Sequence, residues 1–233
     1  MPKLLTQTAI DEFRARLCKI AIELLAEVGQ DGFSMRELAK RLGVSAMTPY
    51  RYFSDKDEIL ALIRTEAFAR LAERLETALE VHGSPAEKIA ALANAYVEFA
   101  DQEPFYYRLM FDFSRPKRNS YPEQEFQENR VRSAITSLIR GLVARESFGG
   151  DPERVAQVLW IAIHGAIALE LAGQPMIGLP ELVGEMVRLS VTGYGANGPD
   201  RGNSKTSRPG FTAPRTRRSQ SGRSDNAVIS AAV

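Results

Sequence analysis

The sequence is poor in the residues that build most metal sites and many catalytic sites: its 233 residues include one cysteine and two histidines. One cysteine excludes a disulfide within the chain and a thiolate metal cage. Cys18 also lies in an apolar stretch with helical spacing, which favours a small buried side chain over a nucleophile. The two histidines have no metal-ligand spacing, and the chain has no phosphate loop. The sequence therefore predicts neither a metal site nor a bound cofactor.

Long hydrophobic runs are also lacking. No stretch of about 18 uninterrupted apolar residues occurs, as a membrane-spanning helix requires. Residues 1–8 do not show the charged and then apolar order of a signal peptide. We therefore expect no membrane contact and a cytoplasmic location. Hydrophobic residues still make up 44% of the chain, which is enough for the core of a globular protein.

Basic charge is concentrated near the end of the chain. The formal net charge is only +1, but residues 197–233 carry seven Lys or Arg against two Asp. Because residues 195–233 contain little apolar surface to bury, they are predicted to form a disordered basic tail. Such a tail is either a solubilising extension or a nonspecific tether to DNA. Composition does not separate these two roles.

Apolar residues recur with helical spacing along most of the chain, and no segment shows the strict alternation of a β-strand. This pattern predicts an all-α protein. Glycine and proline clusters mark the ends of the helices. The predicted helices are 9–28, 35–42, 46–52, 55–81, 85–101, 104–113, 122–147, 152–172 and 180–193.

The clearest local motif begins at residue 33. Ser34 and Glu37 have the spacing of a capping box, which predicts a helix beginning at Met35. Gly43 is the residue best able to adopt the left-handed conformation that ends this helix. Ser45 can then cap a second short helix. A helix, a tight turn and another helix within about twenty residues predict a helix-turn-helix.

The second helix of this motif is expected to expose side chains that could enter a DNA groove. With α-helical spacing, Ala46, Pro49 and Phe53 share the inward side and Tyr50 lies at the boundary. The outward residues are then Met47, Thr48, Arg51 and Tyr52. Such a face matches what a recognition helix offers the major groove. The next helix has Lys56 in its first turn, where backbone N–H groups and a cation can together hold a phosphate.

From residue 33 to residue 60 the chain resembles the N-terminal domain of the TetR family of transcriptional regulators. The matching residues are Ser34, Arg36, Glu37, Leu38, Ala39, Gly43, Val44, Ser45, Thr48, Tyr50, Tyr52, Phe53, Lys56 and Leu60. The resemblance implies a DNA-binding domain over residues 1–55 and assigns a DNA-contacting set. Its members are Ser34, Arg36, Ser45, Met47, Thr48, Tyr50, Arg51, Tyr52 and Lys56. In this set Arg36, Met47, Thr48 and Arg51 face bases, while Ser45, Tyr50, Tyr52 and Lys56 hold the DNA backbone.

Two residues depart from the family pattern. Pro49 stands where the family usually has an aliphatic residue, and Tyr52 stands where histidine is common. Proline is tolerated in the first turn of a helix but not deeper. The start of the recognition helix, and with it the order of the base-facing residues, therefore stays open.

A second group of residues points to a ligand site. Residues 104–113 contain five aromatic residues and Met110, while Trp160 and His164 lie four positions apart on an otherwise apolar helix. The pattern Trp160, His164, Gly165 resembles the C-terminal domain of a TetR subgroup. The resemblance then covers residues 9–194 and implies that residues 56–194 bind an effector and dimerise. The expected effector-binding residues are Phe105, Tyr106, Met110, Phe111, Trp160 and His164.

The resemblance implies a dimeric, effector-binding protein that is by family default a repressor, and the residue types imply a small apolar or aromatic effector that releases it from DNA. A symmetric homodimer is expected to bind an inverted-repeat operator in double-stranded DNA, because one short recognition helix reads too few base pairs. The last two predicted helices also carry more apolar surface than packing along one side of each helix would bury, which favours a homodimer. From the residues alone, two other classes remain open. One is an enzyme that uses His164 with Asp112 or Glu170 as an acid–base pair. The other is a helical interaction protein that does not bind DNA. His164 itself could instead be a buried histidine satisfied by one hydrogen bond.

Overall fold

The computed structural model describes residues 6–111, 121–145, 149–174 and 178–194. This part of the chain contains helices and no strands, which confirms the predicted all-α fold. The basic tail lies outside the described residues. The helices are α1 (Gln7–Gly32), α2 (Met35–Leu42), α3 (Lys56–Ala78), α4 (Pro85–Gln102), α5 (Pro104–Met110), α6 (Pro122–Ala144), α7 (Pro152–Leu171) and α8 (Leu179–Tyr194).

The ends of α2 follow from local side-chain chemistry. The Ser34 hydroxyl accepts a hydrogen bond from the Glu37 N–H at 3.2 Å, which is one half of the predicted capping box. The Glu37 carboxylate lies 3.5 Å from the Lys40 ammonium group. Gly43 ends the helix at φ 67°, in the left-handed region as predicted. A capping box with both hydrogen bonds begins α4 instead, between Ser84 and Glu87.

The predicted recognition helix over residues 46–52 is not an α-helix. Only Pro49–Arg51 are helical, and they form a single 3₁₀ turn. Proline causes this difference, because Pro49 has no N–H to donate to the carbonyl of residue 45 and its ring would collide with that carbonyl. The chain instead forms tighter hydrogen bonds, from Thr48 N–H to Ser45 O and from Tyr52 N–H to Pro49 O.

Two hydrophobic clusters organise the described residues. The head cluster is built from α1, α2 and the start of α3, with Leu17, Leu24, Leu38 and Ile59 fully buried. The body cluster joins α3, α4, α6, α7 and α8. Helix α3 belongs to both clusters, because its first turns bury Ile59, Leu60 and Ile63 in the head and its later turns enter the body.

The outer surface of α7 and α8 is apolar. Several of the apolar residues on these helices pack inside the chain, and Val155, Leu159, Val183 and Val187 are all buried. Others have no cover within the chain. Val158 is 46% exposed, Ile161 is 60%, Leu169 is 43% and Leu189 is 54%. The apolar excess seen in the sequence is therefore real, and about half of it is left at the surface.

Candidate DNA-binding and effector sites

The reading segment, residues 45–53, presents an outward face. Met47 is 68% exposed and Tyr50 is 48% exposed, while Pro49 and Phe53 are buried beneath them. Arg51 is exposed and Thr48 is half-buried. Four further members of the expected DNA-contacting set lie at the surface of the head: Ser34, Arg36, Ser45 and Lys56.

The 3₁₀ turn changes which residues face outward. In a 3₁₀ turn successive residues rotate by about 120° rather than 100°, so residues three apart lie on the same side. Met47 and Tyr50 accordingly face outward together. The expectation was wrong for Tyr52, which turns inward and packs on Phe13 with ring centroids 4.5 Å apart. Ala46, expected to point inward, is exposed.

Arg14 of α1 fixes the reading segment from behind. Its Nη1 donates a hydrogen bond of 2.8 Å to the Tyr52 carbonyl. Its guanidinium group also lies 4.4 Å from the centre of the Phe53 ring, within the range of a cation–π contact. A weaker ion pair of 3.8 Å joins it to Glu58. The sequence analysis missed Arg14, since no local spacing relates residue 14 to residue 52.

The beginning of α3 is less open to a phosphate than its sequence suggests. The Asp55 side chain accepts the Glu58 N–H at 2.9 Å and caps the helix. The Glu58 carboxylate accepts both the N–H and the hydroxyl of Ser54, at 2.7 and 2.9 Å. An anion at this position would meet two carboxylates. A phosphate contact there would therefore rest on the exposed ammonium group of Lys56.

The six expected effector-binding residues do not form one group. Phe111, Trp160 and His164 lie together, with ring centroids 4.2 Å apart for Phe111 and His164 and 5.7 Å apart for Trp160 and His164. Met110 is fully buried in the body cluster. Phe105 packs on the head cluster, and Tyr106 packs on both clusters. Helix α5 therefore carries residues of both clusters.

Two tyrosines connect this aromatic group to the core, and neither was among the expected site residues. The Tyr107 hydroxyl lies 2.6 Å from His164 Nδ1. The Trp160 indole N–H donates to the Tyr96 hydroxyl at 3.1 Å. Tyr107 was in the aromatic segment, but its partner lies 57 residues away. Tyr96 lies on the apolar face of α4, and nothing in the neighbouring sequence indicates that its hydroxyl accepts a hydrogen bond.

Burial controls the ionisation of these groups. It raises the pKa of Tyr96 and of Tyr107 well above the ordinary value of a phenol. It lowers the pKa of His164 below 6.5, because the charged imidazolium is poorly solvated there. All of these side chains are therefore neutral at pH 7. Burial likewise raises the pKa of the Cys18 thiol to about 11, so this thiol is a poor nucleophile.

An apolar cavity of about 20 Å³ lies next to the aromatic group. Tyr96 and Trp160 line it, together with aliphatic residues that include Ile89, Ile139 and Leu159. A volume of this size is about that of one water molecule. A larger ligand would therefore have to displace side chains such as Trp160.

Among the described residues, no acidic side chain contacts His164 to form the acid–base pair that an enzyme would need. The recorded hydrogen bond of His164 goes to Tyr107, and Glu170 is exposed. Asp112, the other expected partner, lies outside the described residues. The described residues also contain no cluster of three side chains suited to hold a metal ion.

The head and the body each match a family model. Residues 17–63 match the model described as bacterial regulatory proteins of the tetR family. Residues 89–194 match the tetracyclin repressor-like C-terminal domain. The two matches together cover more than half of the chain.

Individual relatives agree with these models. The chain is 27% identical to the HTH-type transcriptional regulator Rv1816 of Mycobacterium tuberculosis, over 71% of this chain and 83% of that protein. It is also 27% identical to the HTH-type transcriptional activator FasR of Mycolicibacterium smegmatis, over 59% of this chain and 61% of that protein.

Solved structures show the same fold. A protein of unknown function from Rhodococcus sp. RHA1 aligns with a TM-score of 0.69 and 27% identity, covering 78% of this chain and 95% of that one. The regulator FadR of Bacillus subtilis, solved in complex with stearoyl-CoA, aligns with a TM-score of 0.63 and 18% identity, covering 77% and 98%. From its helix-turn-helix head, its helical body and these matches, the chain belongs to the TetR family of DNA-binding transcriptional regulators.

Proposed function

We propose that this regulator is a homodimeric repressor that reads an inverted-repeat operator with its reading segment and leaves the DNA when an effector enters beside Phe111, Trp160 and His164. The observation that carries the proposal is the outward face of Met47, Tyr50 and Arg51. Exposed methionine and tyrosine side chains beside an exposed arginine on one short turn match what a recognition element offers the major groove. Because its proposed operator lies in chromosomal DNA, the protein is proposed to act in the cytoplasm.

Within the DNA-contacting set, the exposed residues divide by chemistry. Thr48 and Arg51 can reach the edges of bases and read sequence, and Met47 can contact a thymine methyl group. Arg36 at the start of α2 is a further base-facing cation. Contacts to the DNA backbone fix position without reading sequence. We assign these to the group Ser34, Ser45, Tyr50 and Lys56, and Tyr52 contributes by supporting the segment from inside.

The dimer is proposed to form through α7 and α8. Val158, Ile161, Gly165 and Leu169 follow one another at three and four positions along α7, so they form one stripe. Apart from its chain neighbours and the nearby backbone of α7, no atom of the described residues lies within 4 Å of the place where a Cβ of Gly165 would be, which leaves room for a second backbone. By length and composition α7 also resembles a membrane span. Burial of its stripe against a second copy accounts for that composition.

Helix α5 is the proposed link between effector and DNA. Arg64 of α3 is fully buried, and its Nε donates to the Leu109 carbonyl of α5 at 3.0 Å. Its Nη2 also reaches the Gln30 side chain of α1, at 3.4 Å. A ligand that displaces Phe111 would move α5 and, through Arg64, the end of α1. Gln30 follows a break in α1 at Gly29, where φ is 69°, so such a movement would reach the head at the turn that leads into Ser34 and α2.

The first experiment selects genomic DNA fragments that bind the purified protein and measures affinity against salt for the best fragment. Lys56→Ala should reduce the slope of log affinity against log salt by about one unit for each subunit, since one phosphate contact is lost. Arg51→Ala should change the preferred sequence instead. Arg132→Ala on α6 is the matched control, because it removes an exposed arginine of the body. If all three variants bind like the wild type, the proposed interface is wrong.

A further inference from the structure

Four polar side chains form a chain through the interior of the body. It runs from Trp160 through Tyr96 and Tyr107 to His164, and it joins α4, α5 and α7. Trp160 Nε1 lies 3.1 Å from the Tyr96 hydroxyl, and the Tyr107 hydroxyl lies 2.6 Å from His164 Nδ1. The Tyr96 and Tyr107 rings also meet edge to face, with ring centroids 6.0 Å apart. Both tyrosines are only 2% exposed.

The direction of this chain follows from a count of its protons. An indole N–H can only donate, so Tyr96 must accept from Trp160. The Tyr107 hydroxyl is buried, and its recorded hydrogen-bond partner within the described residues is His164 Nδ1. If Nδ1 carried a proton and donated it to Tyr107, the Tyr107 proton would be left in the core without an acceptor, which is unfavourable. The chain therefore runs in one order, from Trp160 toward His164.

Tyr107 has one proton and, in this order, gives it to His164. Nδ1 of His164 is then an acceptor, so the neutral ring carries its proton on Nε2. The described residues show no partner for Nε2. The His164 ring is half-buried between Trp160, stacked at 5.7 Å, and Phe111. The described part of the site therefore presents one directed N–H donor among aromatic rings, and no charged side chain within that part contacts it.

We infer that the effector is an uncharged, mainly apolar molecule that carries a hydrogen-bond acceptor, such as a carbonyl oxygen, and that it binds to Nε2–H of His164. This inference rests on the proposed effector site. The same geometry works against an amine, because a cation would face an N–H donor, and the described residues around it include no carboxylate. A hydrocarbon without an acceptor would leave the N–H unpaired when the site closes.

Three small probes of nearly equal size separate these cases: acetophenone with a carbonyl, ethylbenzene without a polar group, and 1-phenylethylamine with a cation at neutral pH. Trp160 is the single tryptophan of the chain, so its indole N–H gives one resonance in a ¹H–¹⁵N spectrum and reports binding directly. Acetophenone should bind roughly tenfold more tightly than ethylbenzene, the effect expected of one hydrogen bond to an otherwise unpaired donor. The amine should bind more weakly still.

The tautomer is measured separately by ¹⁵N resonances of the imidazole rings, with His82→Gln used to assign the second histidine. The expected spectrum has a protonated Nε2 and an unprotonated Nδ1 at His164. His164→Phe should abolish the preference for acetophenone while the protein stays folded. Tyr107→Phe removes the donor to Nδ1 and should change the tautomer populations.

The outcomes distinguish this inference from the proposed function. Equal affinity for acetophenone and ethylbenzene, or a proton on Nδ1, overturns the inference, while loss of DNA binding on adding either probe would still support an effector site here. If none of the probes shifts the Trp160 resonance, the proposed effector site and the inference fail together. Tight binding of the amine alone would also overturn the inference.

Discussion

Replacing Arg14 with methionine tests how the reading segment is held. Methionine keeps an unbranched apolar chain over the Phe53 ring but removes the guanidinium group. The change therefore deletes the hydrogen bond to the Tyr52 carbonyl, the cation–π contact and the ion pair with Glu58. The exposed residues of the reading segment remain unchanged.

The magnitude follows from these three contacts. A hydrogen bond from a charged donor contributes about 1.5–3 kcal/mol, and a partly exposed cation–π contact adds about 0.5–1 kcal/mol. The ion pair is long and more than a third exposed on the Arg14 side, so it adds less than about 1 kcal/mol. We expect a loss of about 2–5 kcal/mol in the free energy of unfolding. For a chain of this size that lowers the melting temperature by about 4–20 °C.

The assay is urea unfolding at fixed protein concentration, since dimers gain stability with concentration. Arg16→Met is the control, because Arg16 is exposed on the same helix and has no recorded contact. The stability of Arg14→Lys should fall between the stabilities of Arg14→Met and Arg16→Met, since lysine keeps the charge but not the planar group. If Arg14→Met is no less stable than Arg16→Met, Arg14 does not hold the reading segment in place.

Three further predictions concern the body. Ile161→Asp should convert the dimer into a monomer in light scattering, whereas Leu62→Asp, an exposed leucine on α3, should leave the mass unchanged. A dimeric Ile161→Asp protein would contradict the proposed interface. Phe111→Leu should alter the effector concentration that releases DNA but not the affinity without effector; loss of DNA binding by the variant alone would mean that Phe111 is only a core residue. Because burial lowers the pKa of His164, the unfolded chain binds the extra proton first, so the stability from neutral His164 is present above about pH 6.5 and is lost as the pH falls below it. His164→Gln should therefore have a flatter dependence of unfolding free energy on pH between about 7 and 5, and an unchanged slope would exclude the buried neutral ring.

The elements that could be predicted from the sequence are those fixed by local chemistry. The capping residue Ser34 and the left-handed Gly43 act within a few residues of themselves, and α2 begins and ends where they predict. The apolar spacing also identified the buried face of Met35, Leu38, Ala39 and Leu42. The all-α fold follows from the same periodicity over the whole chain.

The features that the sequence did not reveal depend on contacts between distant segments. Tyr52 was expected outward because an α-helical wheel was assumed, and the 3₁₀ turn at Pro49 changes the rotation per residue. Arg14 and Tyr96 act on partners 38 and 64 residues away. The many aromatic residues in 104–113 indicated dense packing, but not the direction in which each side chain points. This pattern therefore could not show that Phe105 and Phe111 belong to different clusters.

The 3₁₀ turn at Pro49 has a consequence for how this regulator could acquire a new target sequence. The turn is held by residues that do not face outward: Pro49 and Phe53 are buried beneath it, and Arg14 binds its far end. Met47, Tyr50 and Arg51 contribute little to that support. On the proposed contacts, substitutions at Met47 and Arg51 can therefore alter DNA preference with little loss of folded protein. Operator choice and stability would then depend on different residues of this head, so one scaffold could diverge into regulators of different genes.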